Sequence, residues 1–268
     1  MNVFKLLTNF DVKPEGLDTF ISRRDAFAKL AGLGKKTAMA AIPFGAAATL
    51  STKAAANPAS TMSLAEVLNF ALTLEYLEAE FYTMGLDADG LIPAGKDHAI
   101  IHLIKLHEVQ HVDLLKTVVA SLGSTPVEKP GFDFTVGGVF NPFGDYQQFL
   151  ALAQAFEDTG VRAYKGQAGN LMKNNDLLTA ALQIHSVEAR HASEIRRLRG
   201  LKGWITQDQR GMGMPAETQA VYTGEDNLIQ AGVDVSDTTS VGPDGITESY
   251  DEPLTKDEVL TIAGLFLA

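Results

Sequence analysis

The chain has 268 residues, with 22 Lys and Arg against 33 Asp and Glu, a formal net charge of −11. Hydrophobic residues make up 46% and charged residues 21%, a globular balance that excludes wholesale disorder and allows one large domain or two small ones. With no cysteine, disulfides, thiolate metal sites, iron–sulfur clusters and a cysteine nucleophile are all excluded, so any metal must be held by oxygen and imidazole. Eight basic and four acidic residues fall in the first 60 positions, which leaves 14 basic against 29 acidic beyond them. A body this acidic repels phosphate backbones, and nucleic acid is not an expected partner.

Residues 1–60 have the features of an export leader. The run Thr37 to Leu50 (TAMAAIPFGAAATL) is bounded by Lys35, Lys36 and Lys53. Fourteen residues are too few to cross a hydrocarbon core, which takes about 20, but they suit the apolar middle of a signal peptide. Upstream, Ser22-Arg23-Arg24-Asp25-Ala26-Phe27 resembles a twin-arginine motif, although Phe27 stands one place late and no Leu follows it. Ala54-Ala55-Ala56 offers small residues for cleavage before Asn57. The expected destination is the periplasm, without stable membrane insertion of the mature chain. The alternative is an amphipathic N-terminal segment that stays attached.

Residues 61–200 read as four helices. The first runs from Ser63 to Met84, opened by a Ser63/Glu66 capping box, with Leu64, Leu68 and Ala71 on one face. A Gly/Asp/Pro-rich turn leads to a second helix, Asp97 to Leu122, which stops at Gly123. The next segment, GSTPVEKPGFDFTVGGVFNPFGD, is too long for a turn between antiparallel neighbours but suits a crossover along a bundle. Its Phe132, Phe134, Phe140 and Phe143 are expected to cap the core. The third helix starts at an N-cap, Asp145, and reaches Gln167; the fourth runs from Asp176 to Arg199 and stops at Gly200. Residues 201–268 form an extension packed on the bundle, irregular to position 254. It ends in a short helix, Lys256 to Leu267, with a Thr255/Glu258 capping box. The predicted class is all-α.

The two halves of the bundle repeat each other. Glu75 is followed seven residues on by Tyr82, and Glu157 by Tyr164; the second helix carries Glu108-x-x-His111 and the fourth Glu188-x-x-His191. With 15 Glu and 6 His, chance predicts about 0.3 Glu-x-x-His pairs, and two occur, each on its own long helix after a Glu–Tyr helix. At about 100° per residue, Glu75 and Tyr82 share a face, and Glu75 falls within the stripe of Leu64, Leu68 and Ala71. Glu108 and His111 lie about 60° apart on neighbouring turns, as do Glu188 and His191. Four carboxylates facing one apolar interior would cost several kcal/mol each if unpaired. Two divalent cations balance four glutamates, and imidazole completes each shell.

This pattern resembles the ferritin-like di-iron carboxylate proteins, and within them bacterial ferritin-like domain proteins with twin-arginine-type leaders, related to desiccation-associated proteins. The resemblance covers residues 63 to 200. It implies a ferritin-like four-helix bundle in which Glu108 and Glu188 bridge two metals, while Glu75 with His111 and Glu157 with His191 complete one metal each. Tyr82 and Tyr164 match tyrosines that hydrogen-bond metal ligands in related proteins. Iron is the first expectation and manganese the second. The lack of cysteine departs from the rubrerythrins, so a reductant must come from elsewhere.

Other polar residues receive plainer assignments. Glu78, about 60° from Glu75, is placed at the bundle edge, with an extra ligand as the alternative. Glu80 is a solvated charge, and His98 and His102 face outward. His107 and His185 are assigned to ordinary packing, with support of a metal ligand as the alternative, and Gly160 to a close contact. Trp204 carries no functional signal. The expected activity is that of a di-metal oxidoreductase reacting with dioxygen or hydrogen peroxide, with Fe(II) as electron source, acting as a ferroxidase or peroxide scavenger. Glu108 and Glu188 would be its central residues. Three alternatives stay open: an iron-storage shell, a non-enzymatic envelope or stress-protection protein with structural metal, and oxidation of an organic substrate. A homo-oligomer is compatible with the sequence.

Overall fold

The structure is a computed structural model and describes residues 62–268; the leader assignment for 1–60 lies outside the described residues. Ser63 opens helix α1 (Leu64–Asp87) through the expected capping box, its hydroxyl accepting from the Glu66 N–H while the Glu66 carboxylate accepts from its own. Helix α2 spans Lys96–Ser121. Helix α3 (Tyr146–Leu171) is capped by Asp145, which accepts from the N–H groups of Gln147 and Gln148. Asn174 does the same for helix α4 (Asn175–Leu198) through the Leu177 N–H. The chain is all-α in its main architecture, a ferritin-like four-helix bundle with a long crossover between α2 and α3. Helix α1 runs past Met84 to Asp87 and α3 past Gln167 to Leu171.

Helix α1 packs along α2 and α3 along α4, and the two pairs join mainly through α1 and α3. Helices α2 and α4 approach each other only sparingly. The crossover lays its phenylalanines over one end of this core as expected. Phe134 and Phe140 are buried, and Phe81 stacks on Phe149 at 4.7 Å and meets Phe134 and Phe156 edge-on at 5.2 and 5.0 Å.

The segment after Gly200 is more ordered than its composition suggests. It contains a hairpin, β1 (Ile229–Gln230) with β2 (Val233–Asp234), turned by Ala231 and Gly232 with φ of 52° and 82°. A short helix α5 (Gly242–Thr247) follows, then α6 (Lys256–Ala263) behind the Thr255/Glu258 capping box. The last helix is shorter than expected: a 3-10 turn, Gly264–Phe266, takes over after Ala263. The chain end then pairs with the crossover, Ala268 N–H to the Gly131 carbonyl at 3.0 Å and Asp133 N–H to that of Phe266 at 2.9 Å.

Burial is distributed unevenly over the helices. Eighteen of the 26 residues of α3 are buried, including all of Phe149 to Tyr164, whereas α2 buries only six of 26. The outer face of α3 is polar yet covered, because the extension supplies partners. Asp158 accepts from Arg196 and from the Tyr222 hydroxyl. The Arg162 guanidinium, 1% exposed, pairs with Glu225 at 2.8 Å and donates to the carbonyls of Val221, Thr223 and Glu252. Its own carbonyl accepts from the Leu254 N–H. Burial pushes the Glu225 carboxyl up to about 7 despite that cation. Replacing Arg162 by Ala would strand the buried Glu225 and the buried Val221 carbonyl and free two half-buried ones, so Arg162→Ala is expected to cost about 3–5 kcal/mol. Denaturant unfolding checks this; a loss below about 1 kcal/mol would mean that Arg162 does not hold the extension in place.

Candidate metal centre

All four long helices bring one acid to the same interior point. Glu75, Glu108, Glu157 and Glu188 are each 0% exposed, and His191 is 4% exposed. The spacing explains the convergence: a Glu-x-x-His pair presents both side chains from adjacent turns of one face, and antiparallel packing brings the four faces together. The His111 Nδ1 lies 3.2 Å from Glu75 Oε2, 3.2 Å from Glu108 Oε2 and 3.1 Å from Glu188 Oε1. The His191 Nδ1 lies 2.8 Å from Glu108 Oε1, 3.4 Å from Glu157 Oε2 and 3.5 Å from Glu188 Oε2. Two groups of potential ligand atoms result, each within 4.8 Å of one another and each able to hold a metal ion. One is Glu75, Glu108, His111 and Glu188; the other is Glu108, Glu157, Glu188 and His191. Glu108 and Glu188 belong to both.

The tyrosines cross between the halves. The Tyr82 hydroxyl donates to Glu157 Oε1 at 2.5 Å, and the Tyr164 hydroxyl donates to Glu75 Oε1. Each helix of the central pair therefore orients the other's carboxylate. Burial and the adjoining carboxylates hold both phenols protonated well beyond their usual range.

Electrostatics show what the cluster does with its charge. Burial, then repulsion from Glu188, raises Glu108 well above the ordinary carboxylate range, and burial pushes Glu157 up to about 7. Glu188 goes the other way, to about 2, because the imidazoles of His111 and His191, 3.1 and 3.5 Å from its oxygens, outweigh its burial. His111 is pushed up to about 12: burial opposes its charge, but Glu108, Glu188 and Glu75 outweigh it. His191 is raised likewise against its own burial, by Glu157 first among the acids. Imidazolium protons thus stand where cations would otherwise compensate the acids.

Two assignments made from helical geometry need correction. Glu78 is not at the bundle edge. It is 3% exposed, and burial followed by the charges of Glu188, Glu157, Glu108 and Glu75 raises its pKa well above normal. The edge predicted for a bare bundle is covered here by α6, whose Ile262 and Ala263 share a small gap with Glu78. Gly160 is the close contact expected of it, but with the cluster itself: a Cβ there would lie 3.2 Å from Glu78 Oε1 and 3.8 Å from Glu188 Cγ. His107 does more than pack. Its Nδ1 is 2.9 Å from His191 Nε2, with the rings near-parallel at 5.2 Å, so the bond between these nitrogens leaves the His191 Nδ1 facing the acids. His98 and His102 are exposed as expected, Trp204 is exposed too, Glu80 pairs with Lys129, and the buried His185 Nε2 has no hydrogen-bond partner.

The donor set can be tested for fit against a metal pair. Among the described residues, seven buried side-chain N and O atoms have no hydrogen-bond partner, and five of them are here: Glu108 Oε1, Glu157 Oε2, both Glu188 oxygens and His191 Nδ1. Carboxylate oxygens and an imidazole nitrogen buried together without an aligned hydrogen bond are what a divalent cation would satisfy, displacing the imidazolium proton as it binds. The residues fit.

Helical topology and this acid-and-imidazole interior define the ferritin-like class. Residues 63–201, more than half of the chain, match the ferritin-like domain family, and the chain belongs to that family. A search of curated proteins returns no match. No helix among the described residues is long and apolar enough to cross a membrane.

Two outcomes follow for metal binding. Tyr82→Phe and Tyr164→Phe are each expected to weaken Mn(II) affinity about 10- to 100-fold, measured by competition with a chelating dye. Loading must also expel the protons on His111, His191 and the raised carboxyls, so affinity should increase with pH. Calorimetric titration in buffers of different ionisation heat should record net proton release; heats independent of buffer would contradict it.

Proposed function

We propose that the centre holds two divalent metal ions, iron first and manganese second, and that it reacts with dioxygen or hydrogen peroxide as a ferroxidase or peroxide-scavenging oxidoreductase. The observation that carries this reading is the concentration of partnerless buried donor atoms at Glu108, Glu157, Glu188 and His191. In this reading Glu108 and Glu188 would be shared by the two ions, with Glu75 and His111 holding one and Glu157 and His191 the other. Their membership in the two overlapping ligand groups supports that division.

Iron bound there supplies one electron per ion, so two Fe(II) and two protons convert dioxygen to hydrogen peroxide, or hydrogen peroxide to two waters. The protein's part is to fix geometry and exclude water. Tyr82 and Tyr164 hold Glu157 and Glu75 in orientation, and His107 holds the His191 ring through its Nε2. The packing that leaves all four acids without solvent exposure keeps bulk water from the site. Export through the twin-arginine-like leader belongs to the same proposal and rests on Arg23, Arg24 and the apolar run 37–50. Such export accepts folded chains, which suits a centre loaded before transport.

The deciding assay is aerobic oxidation of Fe(II), with consumption of oxygen or added peroxide followed in parallel. The intact protein should accelerate it, and Glu108→Ala, which removes one shared carboxylate, should return the rate to solution background. Equal rates for both proteins would refute the proposal. If metal removal lowers the melting temperature while neither protein oxidises iron faster than buffer does, the metal is a structural staple instead.

A further inference from the structure

An apolar cavity of about 30 Å³ lies inside the bundle. Its position is set by the same helical register as the metal ligands. Ala71 is four residues before Glu75, Leu115 four after His111 and Ile184 four before Glu188, and all three line it. Four residues make about one turn, 5.4 Å of rise, so the cavity is stacked one helical layer from the acid cluster on three helices at once. The fourth, α3, supplies Tyr164, whose hydroxyl donates to Glu75. That ring is the partition between cavity and cluster.

The lining is almost free of hydrogen-bonding groups: Tyr164 and Gln167 are the only polar side chains among its sixteen residues. Outward, the space reaches Leu114, Val118 and Ala180. These lie on α2 and α4, the two helices that scarcely touch, and Leu114 is 43% exposed. The cavity therefore runs from the surface between α2 and α4 to the wall of the centre. Toward the other end of the bundle the corresponding layer is filled by Phe81, Phe134, Phe149 and Phe156 in mutual ring contact. The halves repeat in their ligands but differ here.

We propose that this cavity is an antechamber for dioxygen, the substrate of the metal centre that it selects over hydrogen peroxide. About 30 Å³ is room for roughly two water-sized centres, which matches a diatomic molecule. Apolar cavities of this kind stay dry and take up apolar guests. Dioxygen has no hydrogen bonds to give up on entering, whereas water and hydrogen peroxide would surrender theirs to a wall that returns almost none. A second gap, about 10 Å³ beneath α6 and bordered by Glu78, Leu74, Phe156 and Ile262, has room for one water at most and is too small for a diatomic guest.

This inference rests on the oxygen-reactive reading of the centre, and two measurements separate their failures. Crystals held under xenon should show the atom between Ala71 and Ala181 whether or not metal is loaded, and Ala181→Val, or Ala181→Leu where Val leaves space, should abolish it. In Fe(II) oxidation the same variant should raise KM for dioxygen several-fold at little change in kcat, with a far smaller effect on the peroxide-driven rate. Metal stoichiometry and melting temperature check that the variant is folded; if it is not, Ala71→Val serves in its place. Xenon absent from the cavity of a protein that consumes dioxygen overturns the antechamber alone, and so does an unchanged KM or an equal loss with both oxidants. Xenon bound in a metal-loaded protein that consumes neither oxidant overturns the reading of the centre, and the dioxygen assignment with it.

Discussion

Four glutamates with no solvent exposure, placed close enough to repel one another, are the constraint around which the bundle is organised. Water cannot screen them, and the buried arginines are committed elsewhere: Arg162 is spent on Glu225 and Arg196 on Asp158. Compensation has to come from within the cluster. Without metal it comes from protons on His111 and His191 and on the raised carboxyls, and the wide spread between Glu188 and Glu108 shows how unequally those protons are shared. Such an arrangement is expensive for folding, because each buried charge gives up hydration worth several kcal/mol. A hydrophobic core of the same shape would be more stable, so the acids are retained for what they can bind.

Much of this was legible in the sequence because helical periodicity is a short-range property. The capping residues Ser63, Asp145 and Thr255 set helix starts that the structure reproduces, and the paired Glu-x-x-His motifs on separate helices located the cluster. The misreadings share a cause. Glu78 and His107 were judged on a wheel that assumes a bare four-helix bundle, and a wheel gives direction without saying what else arrives from that side. For Glu78 it is α6, nearly 180 positions downstream; for His107 it is the His191 ring across the α2/α4 gap. The polar face of α3 teaches the same lesson. Asp158 and Arg162 look like surface residues until Tyr222, Arg196, Glu225 and Glu252 are brought to them by the fold. The hairpin at Ala231-Gly232 was missed because it involves only two residues per strand.

The internal repeat is faithful at the ligands and unfaithful around them. Glu75 and Glu157 correspond, yet three residues on Glu78 meets Gly160, and the missing side chain of one makes room for the carboxyl of the other. His107 supports His191, while its counterpart by the repeat, Val187, cannot hydrogen-bond to His111. The two metal positions are therefore not equivalent in their surroundings, even though their donor sets are.

The contrast between α3 and α2 has a consequence for how the molecule breathes. Sixteen consecutive buried residues, Phe149 to Tyr164, tie α3 to everything else, so its amide protons can exchange with solvent only when the whole domain comes apart. Helix α2, with six buried residues in 26, opens in small local events at far lower free energy. Glu108 and His111 ride on that looser rod, while Glu157 is anchored in the tightest one. Ions exchanging at the centre would therefore pass through transient excursions of α2, with α3 as the fixed anvil against which it closes.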